Sequence, residues 1–296
     1  MTRTIAILGP GAVGGSLAVR LSLAGVHTIC VGRPETVGII AMAGLVVESR
    51  RGTLTAQTEV ADRLSKPVNL LLVTVKAPDL EDALERIEPE AVSEGVVLPL
   101  LNGLEHMDVL RARFDGRVAA GSISHFQAYR AGRVQIVEAT PAPIITLASD
   151  ELPRSDLERV AELLRLGRIE VRVGQSEKRV LWHKVARIAA ITAASAASGR
   201  TVGDLRHDAE WRPRLEHAVA EACAVAEADG VPLRAAAQWA IIDEMADETT
   251  TSAARDVAAG RRSELDAIVG SVLRASERLG VPCPTLSQLA ASAGWR

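Results

Sequence analysis

The sequence predicts an α/β protein whose mostly parallel sheet is followed by a second half made only of helices. Three observations carry that prediction. Apolar, β-branched runs alternate with helical patterns up to about Gly174. A glycine-rich turn, Gly9-Pro10-Gly11-Ala12-Val13-Gly14, joins the first such run to the first helical pattern. Beyond Ser176 the apolar residues fall almost throughout at helical spacing. A chain of 296 residues is long enough for two domains. The boundary is placed within residues 174–177, giving domains 1–174 and 175–296.

Residues 4–8 form a short apolar run and read as the first strand. Residues 13–24 have helical spacing and close at Gly25, and residues 27–31 read as the next strand. Residues 68–75 (VNLLLVTV) are continuously apolar, as expected of a strand covered on both faces, and residues 96–101 repeat the pattern. Residues 78–87 and 103–113 read as helices, so the alternation implies right-handed βαβ units. Residues 118–123, 133–138 and 144–147 read as closely spaced strands, a partly antiparallel extension of the sheet. A helix over 157–166 and a strand over 169–173 complete this half.

In the second half, residues 185–198 are half alanine and read as a tightly packed interior helix. The stretch is too short for a membrane span and Arg187 interrupts it. Leu215, Ala218, Val219, Ala222, Cys223 and Ala226 fall on one helix face, with Gly230 as the stop. Leu265, Ile268, Val269, Val272 and Leu273 repeat that spacing before Gly280, with Ser263 and Asp266 as a capping pair.

Composition excludes several classes. Thirty-four Lys and Arg against 37 Asp and Glu leave a net charge of −3 with no basic block, so no nucleic-acid partner held by phosphate neutralisation is expected. Aromatic residues are only 2%, too few for base-stacking platforms. Cys30, Cys223 and Cys283 lie far apart without a CxxC, which supports neither a disulfide framework nor a metal site. A reducing, cytoplasmic setting is the expectation, with no leader segment before the first strand and no membrane association.

Gly9, Gly11 and Gly14 satisfy GxGxxG in the required context, a strand before and a helix after. Gly9 allows the tight turn, Gly11 lets the backbone approach a pyrophosphate, and Gly14 lets the helix pack on the strand. The helix opened by Ala12 and Val13 offers free N–H groups to the anion. The first domain therefore reads as a Rossmann-type dinucleotide-binding domain. At the end of the second strand, where an acid would accept from the ribose 2′-hydroxyl of NAD, stand Gly32 and Arg33. A guanidinium pairs with a 2′-phosphate, which favours NADP(H). A solvated loop cation is the other reading of Arg33.

Lys76 and Asn102 end the second pair of sheet strands, and ligands of open parallel sheets lie at such carboxyl ends. Each also has a local explanation, a solvent-facing strand end for Lys76 and a turn dipeptide, Asn102-Gly103, for the other. Lys184 opens the Ala-rich helix, where a cation opposes the helix dipole. With an apolar helix following, it is expected to emerge into a cleft between the two halves, while His183 reads as structural. Glu264 at the start of the last long helix complements that helix's dipole, and Ser252 lies twelve residues before it. Spacing alone does not say that Lys184, Ser252 and Glu264 converge.

The motifs GPGAVGG, LLVTVKA, LLNGLE, LWHK and TSAARDVAAGRRSELDAIVG, with GRTVGDLR and RLGVPCPTL, resemble those of the ketopantoate reductase (2-dehydropantoate 2-reductase) family across nearly the whole chain. The resemblance implies NADPH-dependent reduction of a small-molecule 2-oxo acid, with a helical domain similar to the carboxyl-terminal domain of 6-phosphogluconate dehydrogenase relatives. By motif position it implies Lys184 as the catalytic lysine and Glu264 as the substrate-site glutamate. Ser252 falls near the substrate carboxylate, and Lys76 and Asn102 contact cofactor and substrate. Ile188 and Thr192 stand where the family usually carries asparagines that hold substrate hydroxyls, so a substrate more apolar than ketopantoate is expected. Opine-type imine reduction and a non-catalytic NADPH-binding regulator are the competing readings, and helical domains of this kind suggest a homodimer.

Overall fold

A computed structural model describes residues 3–140 and 143–295. The chain forms two compact units. One takes the chain up to Leu101 together with His106–Val180; the other takes Asn102–Glu105 and everything from Leu181 onward. The division thus falls a few residues beyond 174–177, and a four-residue excursion carries Asn102 into the helical unit.

The first unit contains β1 (Thr4–Leu8), α1 (Ala12–Leu23), β2 (His27–Val31), α2 (Pro34–Ala43), β3 (Leu45–Ser49), β4 (Gly52–Ala56), β5 (Glu59–Ala61), β6 (Leu70–Val73), α3 (Leu80–Leu84), β7 (Val96–Pro99), α4 (His106–Phe114), β8 (Ala120–Ser124), β9 (Ala128–Arg130), β10 (Gln135–Glu138), β11 (Ile144–Ala148), α5 (Arg154–Leu166) and β12 (Glu170–Val173). The main sheet is parallel, in the order β5-β2-β1-β6-β7. The order reverses between β1 and β6, so their carboxyl ends flank the switch point at which such sheets take ligands.

Every residue of β6 and β7 is buried, which is why their sequences are continuously apolar rather than alternating. Ile5, Ile7, Leu70, Leu72 and Leu98 share one core with Leu17 and Leu21 of α1 and Val160 and Leu164 of α5. Burying each such side chain contributes about 1.5–3 kcal/mol.

Residues 34–61, where the pattern marked no element, fold into α2, β3, β4 and β5. The hairpin β3–β4 escaped notice because four of the five residues of β4 are exposed and show no alternation. It belongs to a separate four-stranded sheet, β4-β3-β10-β9, so residues 133–138 do not extend the main sheet. That sheet is fastened to α1 through Glu138, buried on β10, which accepts from Ser16 and from Arg20 (Nε at 3.0 Å). The expected antiparallel extension is instead β12-β11-β8, in which only β8 runs antiparallel to β11. A single parallel bridge, Val97 to Val118, links β7 to the segment entering β8.

Two helices are shorter than expected. Pro78 lies in a 3-10 turn, Ala77–Asp79, before α3, and the chain leaves helix at residue 85 to bridge Leu64 with Ile87. Helix α4 begins only at His106, because Gly103 adopts φ +99° and the preceding four residues belong to the other unit.

The helical unit contains α6 (Glu177–Ser198), which begins in the last residues of the first unit, then α7 (Val202–His207), α8 (Trp211–Ala228), α9 (Ala235–Asp243), α10 (Ser252–Ala258), α11 (Ser271–Leu279) and α12 (Pro284–Ser292). Alanines 186, 189, 190, 193 and 194 of α6 are fully buried in one core with Leu215, Val219, Cys223, Val269, Val272 and Leu286. Small residues there let neighbouring helices approach closely. The 265–273 spacing is all buried as read, yet residues Asp266–Gly270 form a π-helical turn ahead of α11. Ser263 and Asp266 are not a reciprocal cap. Ser263 Oγ donates to the Ala253 carbonyl and accepts from Leu265 N–H, while Asp266 faces Arg274 and Trp295. No helix among the described residues is long and apolar enough to cross a membrane.

Gly14 tests this construction. A Cβ there would collide with the Thr74 hydroxyl and approach the Gly9 carbonyl and Ile7. Gly14→Ala is expected to lower unfolding free energy by about 1–3 kcal/mol in denaturant titration. Gly11→Ala, whose nearest atom would be Gly9 O at 3.9 Å, should stay within about 0.5 kcal/mol of the parent.

Candidate active site

The turn after β1 is built for an anion. Gly9 sits at φ +87°, with Val75 only 2.5 Å from where a Cβ would be, so no other residue fits there. Its N–H donates to the Val31 carbonyl, and its own carbonyl accepts from the Thr74 hydroxyl at 2.8 Å. The turn is thereby fixed to both neighbouring strands at the switch point. Gly11 is the N-cap of α1, without a side-chain cap, and the helix has no acid in its first turn. The N–H groups of Ala12, Val13 and Gly14 have no carbonyl partner within their own helix. These residues fit a pyrophosphate.

Arg33 caps α2 just before Pro34 and is 70% exposed at its side chain. The end of β2 carries no acid, but the fold brings one from elsewhere: Asp79, in the turn after β6, lies 3.5 Å from the Arg33 guanidinium. No sequence signal marked that approach, since the two are 46 residues apart. Lys76 is exposed immediately after β6 and its carbonyl begins the same 3-10 turn.

In the helical unit, three of the singled-out residues come together. Asn102 enters through the excursion; Gly103, at φ +99°, lies so close to the Ala267 carbonyl that a Cβ could not fit. Arg274 holds the same segment by a two-pronged bond to Glu105, at 2.8 and 2.7 Å, while also binding Asp266. Asn102 Nδ2 then donates to Glu264 Oε2 in a long bond of 3.5 Å. Glu264 is 5% exposed and stands just before the π-helical turn, with its carbonyl accepting from Ile268 N–H. Its carboxylate is turned inward, so dipole complementation is not its main role.

Lys184 is partly buried on α6. Burial pushes its ammonium from the usual 10.5 down to about 8; the nearby Glu264 carboxylate pulls it back up, and Arg187 pushes it further down. No hydrogen bond or close ion pair closes on the ammonium among the described residues. An amine poised near neutrality and left with hydrogen-bonding capacity suits proton transfer.

Ser252 is exposed at the first position of α10, where Thr251 is the cap. No hydrogen bond among the described residues ties it to Lys184 or Glu264. Ile188 is partly buried and packs against the helical core, and Thr192 is fully buried with its hydroxyl unpartnered. His183 is exposed on α6, and its carbonyl accepts from Arg187 Nη1 at 3.0 Å. Arg187, which in the sequence only interrupts an apolar run, is partly buried on the same helix. The three cysteines are free and buried, and burial pushes each thiol up to about 11, so none offers a thiolate.

Sheet order and glycine turn together define the class, a Rossmann-type dinucleotide-binding fold. Two family models extend this over both units: Ketopantoate reductase PanE/ApbA matches residues 5–148, and Ketopantoate reductase PanE/ApbA C terminal matches residues 178–293. The chain belongs to the ketopantoate reductase family. It is 29% identical to the 2-dehydropantoate 2-reductase of Caulobacter vibrioides, over 97% of each chain. Among solved structures, a PanE/ApbA family ketopantoate reductase from Ralstonia eutropha JMP134 aligns with TM-score 0.87 at 27% identity, over 98% of this chain and 97% of that one. A D-mandelate dehydrogenase solved with NADH and anilino(oxo)acetate aligns with TM-score 0.89 over 98% and 97% of the chains, its 20% identity showing the shared fold.

Competitive labelling of amines across pH should give Lys184 a midpoint near 8, well below an ordinary lysine. Glu264→Gln removes the charge that favours the ammonium, so the midpoint should move lower still. A midpoint near 10 in the parent protein would remove the special status of Lys184.

Proposed function

We propose that the protein reduces a 2-oxo acid to the 2-hydroxy acid with NADPH, as a 2-dehydropantoate 2-reductase or an enzyme for a close, more apolar analogue. The observation that carries this reading is the Lys184 ammonium, drawn down to about 8 beside Glu264, in a chain of this family. Bound NADPH supplies the hydride. Negative charge then develops on the substrate carbonyl oxygen. Lys184 stabilises that oxygen as ammonium and gives it a proton. Glu264 keeps Lys184 charged and receives the Asn102 amide, which fixes the orientation of both. Ser252 supplies a hydroxyl to the substrate carboxylate. Residues 1–174 form the cofactor domain and 175–296 the substrate domain in this proposal, with Lys76 and Asn102 each assigned to binding cofactor and substrate.

The proton inventory sets a pH dependence. Lys184 carries its proton below about 8 and loses it above, so kcat/KM should fall as pH rises through that value. Arg33 supports NADPH over NADH, with Asp79 a competitor that the 2′-phosphate must displace. Ile188 supports a substrate whose chain carries no hydroxyl at that point.

Steady-state assays with a panel of 2-oxo acids, with and without amines, test the reading. Lys184→Ala should lower kcat by roughly 10²–10⁴-fold while NADPH affinity, read by fluorescence titration, stays close to the parent. Parent-like turnover in that variant would remove the assignment. Ile188→Asn should raise kcat/KM for 2-dehydropantoate relative to an unhydroxylated analogue by about 10-fold or more. Arg33→Ser should narrow the NADPH preference and Asp79→Asn should widen it. Amine-dependent turnover would favour imine reduction, and NADPH binding without any oxidation would favour a regulator.

A further inference from the structure

Close to Lys184, helix α6 carries a further cation that the mechanism leaves unused. Arg187 lies three residues beyond Lys184, so the two side chains leave neighbouring positions of one helix face. Its guanidinium is partly buried, and burial pushes it below its ordinary value. One side of the group is occupied. Nη1 donates to the His183 carbonyl at 3.0 Å and to Gln238 Oε1 at 2.7 Å, and Gln238 is itself buried on α9.

The other edge makes no hydrogen bond. Nε is buried with no hydrogen-bond partner. Nη2 takes none either among the described residues, and no Asp or Glu among them pairs with the group. That Nε–Nη2 edge is the fork with which arginine grips a carboxylate through two parallel bonds. A purely structural arginine joining α6 to α9 needs only Nη1 and gains nothing from a buried, unsatisfied Nε–H. Charge points the same way. The Arg187 charge already weakens the hold of Lys184 on its proton, and a carboxylate bound between the two cations offsets that repulsion.

We infer that Arg187 holds the carboxylate of the substrate through its Nε–Nη2 edge, so that the site selects monoanionic 2-oxo acids. In such an acid the carboxylate and the reducible carbonyl occupy adjacent carbons. Two cations about one turn apart match that pair, Arg187 on the carboxylate and Lys184 on the carbonyl oxygen. Ser252 adds a neutral hydrogen bond but no charge. Gln238 holds the guanidinium in its plane. The inference rests on the reductase reading of the Lys184 site, and two measurements separate their fates.

The first is calorimetric binding of oxamate, a non-reducible 2-oxo acid mimic, to the full chain in the presence of NADP⁺. The parent should bind it, Arg187→Met should weaken binding by roughly 10- to 100-fold, and Arg187→Lys should recover part of the loss. Arg187→Gln replaces Arg187→Met if the latter does not fold, as judged by its thermal midpoint. The second is the preference for 2-oxo-3-methylbutanoate over its neutral amide. Arg187→Met should lose that preference chiefly through KM, with NADPH affinity unchanged. Gln238→Ala, which keeps the charge, should retain most of it.

Parent-like oxamate affinity in the Arg187 variants overturns the inference, as does a parent protein that binds no oxamate. A protein that reduces 2-oxo acids yet keeps its carboxylate-over-amide preference without Arg187 leaves the reductase standing and removes the inference. A protein that binds oxamate through Arg187 but reduces nothing supports the inference and removes the reductase.

Discussion

A primary amine held partly out of water beside a carboxylate is the interaction on which the proposed chemistry depends. Desolvation alone would drive Lys184 toward the neutral form; Glu264 opposes it, and the balance falls near 8. The rest of the unit maintains that balance. The alanine-lined core seats α6 rigidly, and Gly103, Glu105 and Arg274 bring Asn102 to the Glu264 carboxylate. The π-helical turn just after Glu264 widens the helix locally, a departure that recurs at functional positions.

The sheet unit solves a different problem, the placement of free backbone N–H groups at a strand end. Crowding does this work. Val75 stands against Gly9, and the Thr74 hydroxyl stands against Gly14 while also bonding the Leu8 and Gly9 carbonyls. The turn can take only one shape, and its amides are uncapped when α1 begins. Preorganisation of this kind means that an anion meets donors already in place rather than ordering them on arrival.

The charges of Arg33 and Arg187 are handled in contrasting ways. Arg33 is exposed and shares its charge with Asp79 across 3.5 Å of solvent-screened surface, an interaction worth little by itself. Arg187 is partly buried, bound through Nη1 by neutral acceptors, and its Nε is buried without a hydrogen-bond partner. A desolvated cation without an acid partner is costly in an empty site and effective in a filled one.

Much of this was legible in the amino acids alone. The parallel sheet followed from continuously apolar runs, because strands covered on both faces have no polar side to show, and the glycine turn followed from spacing that only close backbone approach requires. Lys184 and Glu264 were legible as motif positions. Their proximity was not, because 80 residues separate them and no local rule reports a through-space field. Nor could periodicity find the β3–β4 hairpin, whose outer strand is exposed and patternless, or the Asp79 that reaches Arg33 from another loop. Sequence determines what each segment prefers to bury and which turns it can make. Only the tertiary structure decides which charges end up together, since that depends on where distant segments cross.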